Sequence, residues 1–234
     1  MIPPATAAES TQADRAFETL RGDLLAGLFP PGSRLRPNLL QANYGIGLTP
    51  LREALTRLEA AGLVVSNAQR GFRVAEASRD ELADLTRTRC DIERLCLVRA
   101  ITRGDTDWEA EIVAAYHALS RTPLPADTAD RAALDLWETR HRRFHRALIA
   151  ACGSAWLLRF WDTLADHSER YRKLRLAHRH RPEAEVRDLN GEHEAIMQAA
   201  LRRDAAAAIA LAEQHLAATE RAVWAVLHEA AAAR

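Results

Sequence analysis

Thr49-Pro50-Leu51-Arg52-Glu53-Ala54-Leu55-Thr56-Arg57-Leu58-Glu59-Ala60-Ala61-Gly62-Leu63-Val64 reads as a short helix running into a strand. Thr49 offers an N-cap oxygen to a free backbone N–H of the first turn. Pro50 then falls at the first helical position, where its missing N–H costs nothing. Leu51, Leu55 and Leu58 recur at helical spacing and form an inward stripe. Gly62 ends the helix. Arg52 is the odd residue. The dipole is positive in the first turn, and a cation there is unfavourable by roughly a few tenths of a kcal/mol. Two explanations stand: an exposed arginine offset by Glu53, or a cation kept for a docking anion, with the DNA backbone the obvious candidate.

The neighbours of this stretch set its context. Ala13 to Phe29 is an amphipathic helix carrying Phe17, Leu20, Leu24, Leu25 and Leu28, stopped by Pro30-Pro31-Gly32. Arg36 to Tyr44 is a second, short helix entered through Pro37, and Gly45-Ile46-Gly47-Leu48 connects it to Thr49. After Gly62, Leu63-Val64-Val65 starts a strand, Ser66 to Arg70 turns, and Gly71-Phe72-Arg73-Val74 returns. Helix, helix, turn, helix and a two-stranded wing make a winged helix-turn-helix over residues 12–75. In such modules the third helix enters the major groove.

Residues 13–75 resemble the DNA-binding domain of the GntR family of bacterial transcription regulators. The landmarks are Pro31-Gly32-Ser33-Arg34-Leu35, Thr49-Pro50-Leu51-Arg52-Glu53-Ala54-Leu55, Leu58-Glu59, Gly62-Leu63-Val64 and Arg70-Gly71-Phe72. The resemblance implies DNA contacts at Thr49, Arg52, Arg70 and Gly71, and a backbone contact from Asn38. Most members carry Ser-Arg or Thr-Arg just before the Thr-Pro. This chain has Gly47-Leu48, so one usual arginine contact is missing and the operator is expected to depart from the standard one.

The 234 residues leave room for a second, larger domain. Lys+Arg and Asp+Glu are equal at 32 each, so no global basic field marks a non-specific DNA coater, while a local readout site is untouched by this balance. Cys90, Cys96 and Cys152 show no metal or disulfide spacing and fit small core fillers in a reducing cytoplasm. No export signal and no spanning segment is read, so the expected location is cytoplasmic. Met1 to Thr11 is expected to be a disordered tail, and residues 76–80 a linker.

Residues 81–231 read as helix throughout: Glu81 to Arg103, Thr106 to Ser120, Arg131 to Ala151, Ala155 to Ala177, Pro182 to Arg202 and Asp204 to Ala231. Arg121 to Thr128 is a break, and Cys152-Gly153-Ser154 a stop and cap. The fold class is therefore mostly α, an N-terminal winged helix-turn-helix plus an all-α antiparallel bundle of six or seven helices. The first helix of the bundle offers Leu82, Leu85, Ile92, Leu95 and Val98 as its stripe.

His141 and His145 share one face of a helix with Leu134, Trp137 and Leu148, so they point inward. His193 shares a stripe with Val186, Leu189, Ile196 and Ala200, and His215 with Ala208, Leu211, Ala218 and Ala222. A single inward histidine is usually a hydrogen-bonded core residue. Four of them each need a partner, or pay roughly a few kcal/mol of desolvation. A shared metal satisfies them together, and imidazole suits zinc, nickel, copper or iron. His117, His167, His178, His180 and His228 show no such arrangement.

Residues 79–230 resemble the FCD effector domain of the FadR-type branch, on Phe144-His145-Arg146-Ala147-Leu148, Glu192-His193-Glu194-Ala195-Ile196, Arg203-Asp204 and His215-Leu216. In many members three such histidines and an acidic residue hold a divalent metal, and here His141 takes the acidic place. A six-coordinate ion would keep open positions for an anionic effector, whereas a closed tetrahedral zinc would be structural. His141, the Ala151-Cys152-Gly153-Ser154 run and Gly47 are similar to the carbon-starvation-induced branch, which responds to small dicarboxylates such as glutarate. A carboxylate also suits arginine forks, for which Arg89, Arg170 and Arg172 are the candidates. The function implied is a homodimeric regulator, a repressor in the first instance, reading a palindromic operator under control of a small carboxylate. The alternatives are a helical metal-dependent hydrolase and a DNA-bridging protein with a histidine core. Against the hydrolase, no general base is evident beside the ligands, although Glu192 and Glu194 flank His193.

Overall fold

The computed structural model describes residues 11–25, 27–67, 71–76, 78–124, 130–177 and 187–232, in two compact units, Met1–Ala77 and Ser78–Arg234. Arg70, His178, His180, Val186 and nearly all of the expected tail lie outside the described residues. So do residues 182–186 of an expected helix.

The first unit runs α1 (Gln12–Leu25), β1 (Arg34–Leu35), α2 (Pro37–Tyr44), α3 (Leu48–Ala60), β2 (Val64–Asn67) and β3 (Gly71–Val74). Leu20, Leu24 and Leu25 of α1 meet Leu40 of α2, Leu51, Leu55 and Leu58 of α3, and Val64 and Val74 of the sheet in one core. The architecture is the expected winged helix-turn-helix, with four local departures.

First, α3 begins before Thr49. Gly47 is its N-cap, in extended conformation with no side-chain bond, and the first intrahelical bond runs from Leu51 N–H to Gly47 C=O at 3.1 Å. Pro50 is therefore the third helical residue. Its ring is tolerated because that position, too, has no acceptor for an N–H within the helix. Arg52 consequently lies beyond the first turn, where the dipole penalty that singled it out has faded. Second, α1 ends at Leu25 and not Phe29. Gly27 turns the chain at φ 74°, Leu28 N–H closes onto Asp23 C=O at 3.0 Å, and Leu28 is left exposed. Third, the second helix starts at Pro37, with Arg36 in the extended cap position. Fourth, the sheet has three strands, in the order β1-β3-β2, both pairings antiparallel. Arg34 pairs with Arg73 and Leu35 with Phe72. A two-residue strand carries no alternation from which a sequence could announce it. The exit of α3 is as expected: Gly62 at φ 70° lets Leu63 N–H reach Leu58 C=O at 3.0 Å and Gly62 N–H reach Glu59 C=O at 2.9 Å.

The second unit is α4 (Arg79–Arg103), α5 (Thr106–Ser120), α6 (Arg131–Ile149), a 3-10 turn at Ala150–Cys152, α7 (Ala155–Ala177), α8 (Leu189–Leu201) and α9 (Ala205–Ala232). Among the described residues this unit has no strand. Side-chain caps open several helices: Ser78 accepts from Glu81 N–H, Asp105 from Trp108 N–H and Asp188 from Gly191 N–H. Asp188 as a cap starts α8 at Leu189, so Arg187 stands outside the helix. Gly153, at φ 70°, turns the chain into α7. Arg203 takes a left-handed φ of 60° to close α8, held there by a bond from its Nη1 to Ile101 C=O at 2.9 Å. Trp108, Ile112, Phe144, Leu148, Trp161, Ile196 and Ala200 form the core with Cys96 and Cys152. Cys90 is only half-buried.

One stripe differs from expectation. Leu95 and Val98 of α4 are 48% and 43% exposed, and the buried positions are Leu82, Arg89, Glu93, Cys96, Leu97, Ala100 and Ile101. An apolar pattern could not reveal this face, because two of its members are charges that satisfy each other.

Candidate metal centre and nucleic-acid interface

α6 carries His141 and His145 one turn apart, α8 carries His193 and α9 carries His215. All four rings are at most 4% exposed. Their centroids lie between 4.5 Å (His141–His145) and 6.1 Å (His141–His215) apart. Each offers one nitrogen to a set within 4.8 Å of one another. For nitrogen ligands at about 2.1 Å from zinc, neighbours in a tetrahedron are about 3.4 Å apart and opposite ligands of an octahedron about 4.2 Å. The cluster is thus within a small inward movement of either geometry. Both ring nitrogens of His145 and of His193 are buried without a hydrogen-bond partner. Such atoms are costly unless something pairs with them, and a cation does. Burial, and then the neighbouring rings, push His141 and His193 well below the usual histidine range. Burial brings His215 down to about 4, against the pull of Glu192. Neutral imidazoles are what a metal requires. The donor set therefore fits a divalent transition metal.

The rings have carboxylates behind them. His215 Nδ1 is 2.7 Å from Glu192 Oε2, and Arg187 grips the same carboxylate through both of its oxygens. His145 Nδ1 is 3.5 Å from Glu93 Oε1, while Glu93 Oε2 accepts from Arg89 Nε at 3.3 Å and Trp161 Nε1 at 3.1 Å. Burial alone would raise the Glu93 carboxyl, but Arg89, then His145 and Trp161, bring it down to about 2. The approach of Glu93 to His145 is not legible in the sequence, because it joins α4 to α6 across 52 positions (145 − 93).

Arg89, Arg170 and Arg172 are all buried, at 3%, 3% and 5% exposure. Arg172 grips the buried Glu138 at 2.8 and 3.3 Å. Arg89 and Arg172 lie close enough to the histidines to hold down their protonation. Arg170 instead has Tyr171 and Glu81 as its charge neighbours. Two positions apart on α7, residues 170 and 172 cannot face the same way. The structure thus gathers two of the three arginines beside the cluster.

In the first unit, Arg34, Arg36, Asn38, Arg52 and Gly71 line one open groove. Arg34, Arg36 and Arg52 are exposed, and none is ion-paired among the described residues. The offsetting of Arg52 by Glu53 is not seen among them. Arg57, one helical turn on, is by contrast engaged by Asp14 at 2.8 Å and stacked over Phe17. Thr49 is exposed on α3. Gly71 sits at φ 72° with open space around it, so the conformation itself calls for glycine. Arg34 and Arg36 were not singled out from sequence. Their signal is that they straddle Leu35, which is buried, so both must project outward.

A winged helix-turn-helix with an unpaired arginine groove, followed by a helical bundle that buries a histidine cluster, defines a two-domain transcription regulator. Residues 12–74 match the model for bacterial regulatory proteins of the gntR family, and residues 84–218 that of the FCD domain. The chain is 39% identical over 200 residues to the HTH-type transcriptional repressor GlaR of Escherichia coli (strain K12), covering 86% of this chain and 90% of that one. It is 38% identical over 203 residues to the HTH-type transcriptional regulator BphR of Paraburkholderia xenovorans (strain LB400), covering 87% and 81%. E. coli McbR/YncC has the same fold, with a TM-score of 0.70 at 20% identity over 94% of this chain and 99% of that structure. The protein belongs to the GntR family of transcription regulators, in the branch that carries an FCD domain. That membership overturns the hydrolase alternative, since the family and these relatives are regulators and not enzymes. Among the described residues no helix is long and apolar enough to cross a membrane.

Proposed function

We propose that this regulator is a homodimeric, metal-assisted sensor of a small carboxylate that represses from a palindromic operator. The observation that carries the reading is the set of four buried histidine rings with converging nitrogens, two of them without a hydrogen bond among the described residues. His141, His145, His193 and His215 would hold a divalent metal, zinc first and nickel or another transition metal next. Bound there, it supplies a positive charge that attracts an anionic ligand.

The surrounding charges set what a metal at this site would attract. Arg89 is balanced by Glu93 and Arg172 by Glu138, and burial disfavours the charged form of all four imidazoles. Two charges from a divalent ion are then left without a counter-charge in a low-dielectric interior, which favours a dianion such as a dicarboxylate. Arg89 and Arg172 are the forks that would orient its carboxylates, and Arg170 is the weaker candidate. On the DNA side, Thr49, Arg52, Gly71, Asn38 and the wing residue Arg70 would make the contacts. Two copies would read an inverted repeat across adjacent major grooves. The name of the repressor relative supports repression as the mode. Effector and operator would then each weaken the other's binding by the same factor.

The test is a screen of small carboxylic acids by thermal shift, with and without a chelator, on the wild type and on His145→Ala and His193→Ala. A shift that requires metal and is lost in both variants, with operator binding retained, is expected. Normal operator release by effector in either variant would exclude the mechanism.

A further inference from the structure

Two of the four histidines are backed by a chain of the same composition. Arg187 holds Glu192, and Glu192 meets His215 Nδ1. Arg89 holds Glu93, and Glu93 faces His145 Nδ1. In each, an arginine fixes a carboxylate that addresses one ring nitrogen: Arg187 and His215 share Glu192 Oε2, whereas Arg89 takes Glu93 Oε2 and His145 faces Oε1. The two differ in state. The Glu192–His215 bond is made, at 2.7 Å, on a carboxylate that is 30% exposed. The Glu93–His145 approach is open, at 3.5 Å between groups that are 2% and 1% exposed, and neither Glu93 Oε1 nor His145 Nδ1 has a hydrogen-bond partner. Glu93 Oε2 is already committed to Arg89 and Trp161, so Oε1 is the atom left to accept. Closing that gap to an ordinary N–H···O distance of about 2.7–3.2 Å takes a shift of well under an ångström. His193, in contrast, has no partner on either nitrogen, and His141 is placed by stacking on Trp137 at 4.7 Å.

We infer that Glu93 and Glu192 are positioning residues for the histidine cluster, each accepting from an Nδ1–H and so fixing the tautomer that leaves Nε2 bare toward the centre. This rests on the metal reading above. A neutral imidazole donates from one nitrogen and accepts from the other, so a carboxylate at Nδ1 decides which face can ligate. The carboxylate also raises the basicity of the ligating nitrogen. The two chains act at different moments. Glu192 presets His215 before anything binds, while Glu93 completes its bond to His145 only when the ring is drawn inward. Because Glu93 also holds Arg89, the His145 ring is tied to that proposed carboxylate fork through one shared side chain.

The test uses full-length, metal-stripped protein titrated with zinc in competition with a chromophoric chelator, comparing wild type, Glu192→Gln, Glu93→Gln and Glu138→Gln. Losses of about 10–100-fold in zinc affinity are expected for Glu192→Gln and Glu93→Gln. Glu138→Gln, a buried carboxylate bonded to Arg172 and to no histidine, should stay within a few-fold of wild type. Nitrogen-15 NMR of the histidine side chains in the metal-free state gives the second readout. His215 should be in the Nδ1–H tautomer in the wild type and mixed in Glu192→Gln, a change that loss of general stability would not produce. Wild-type protein that binds no zinc, yet shows this tautomer shift, would sink the metal reading and leave the positioning role standing. Unchanged tautomers and zinc affinities in both variants would overturn the inference, as would an equal affinity loss in Glu138→Gln. Should Glu93→Gln fail to fold, Glu192→Gln on its partly exposed site still decides.

Discussion

Arg52 and Arg57 sit five residues apart on the same helix and have opposite fates. Arg57 is spent within the fold, on Asp14 and on the face of Phe17. That same pairing, first through the Arg57 bond and then through Thr11, holds the Asp14 carboxyl down to about 2. Arg52 points into the groove and pairs with none of the described residues. Arg52→Ala should therefore weaken operator binding by about 1–3 kcal/mol if it reads a base, and lower the salt dependence by about one charge if it reads a phosphate. Effector and metal affinity should be unaffected. Operator affinity equal to wild type, measured by fluorescence anisotropy across a salt series, would show that the helix docks by another face. Arg57→Ala should instead lower the melting temperature of the first unit more than it lowers affinity.

At the scale of elements, the parts that were legible in sequence are those whose signal is local. Helix spacing and caps gave α5 and α7 at the bounds observed, and the histidine faces of α6, α8 and α9 followed from periodicity alone. What sequence did not give depends on contacts made across the fold. The β1 strand exists only because Arg34 and Leu35 pair with β3, and the buried face of α4 is hidden because Arg89 and Glu93 neutralise each other. The start of α3 moved because proline is tolerated at more than one early position. Strand β1 also bears on the proposed DNA contact. Arg34 and Arg36, on either side of Leu35, line the same groove as Arg52. Arg34→Ala and Arg36→Ala should each reduce the slope of log affinity against log salt by about 0.9, roughly uniformly across operator sequences. A double variant with an unaltered slope would place the DNA elsewhere on the unit.

Across the whole chain, the second unit pays for holding four neutral histidines in its interior, and the cost must appear as a dependence on pH. The neighbours that face these rings are Glu93 and Arg89 on α4, Arg172 on α7, Glu192 in the first turn of α8, and Arg187 just before that helix. Their net effect leaves the folded-state values below the ordinary histidine value, chiefly through burial. The unfolded chain takes up protons first as pH falls, near about 6.5, while folded His215 resists until about 4. Stability is therefore full above the unfolded value and is lost between those limits, by up to about 1.4 kcal/mol per pH unit for each histidine involved. Metal-stripped protein should show this loss in urea melts between pH 7 and pH 5, and His193→Ala should show a shallower one. The same ordering predicts how metal would bind. Ligands already deprotonated at pH 7 have few protons to release, so calorimetric titration with zinc in buffers of different ionisation enthalpy should give nearly the same heat. Release of two or more protons at pH 7 would mean that the rings are charged before metal arrives, and that burial in the folded chain does not hold them neutral.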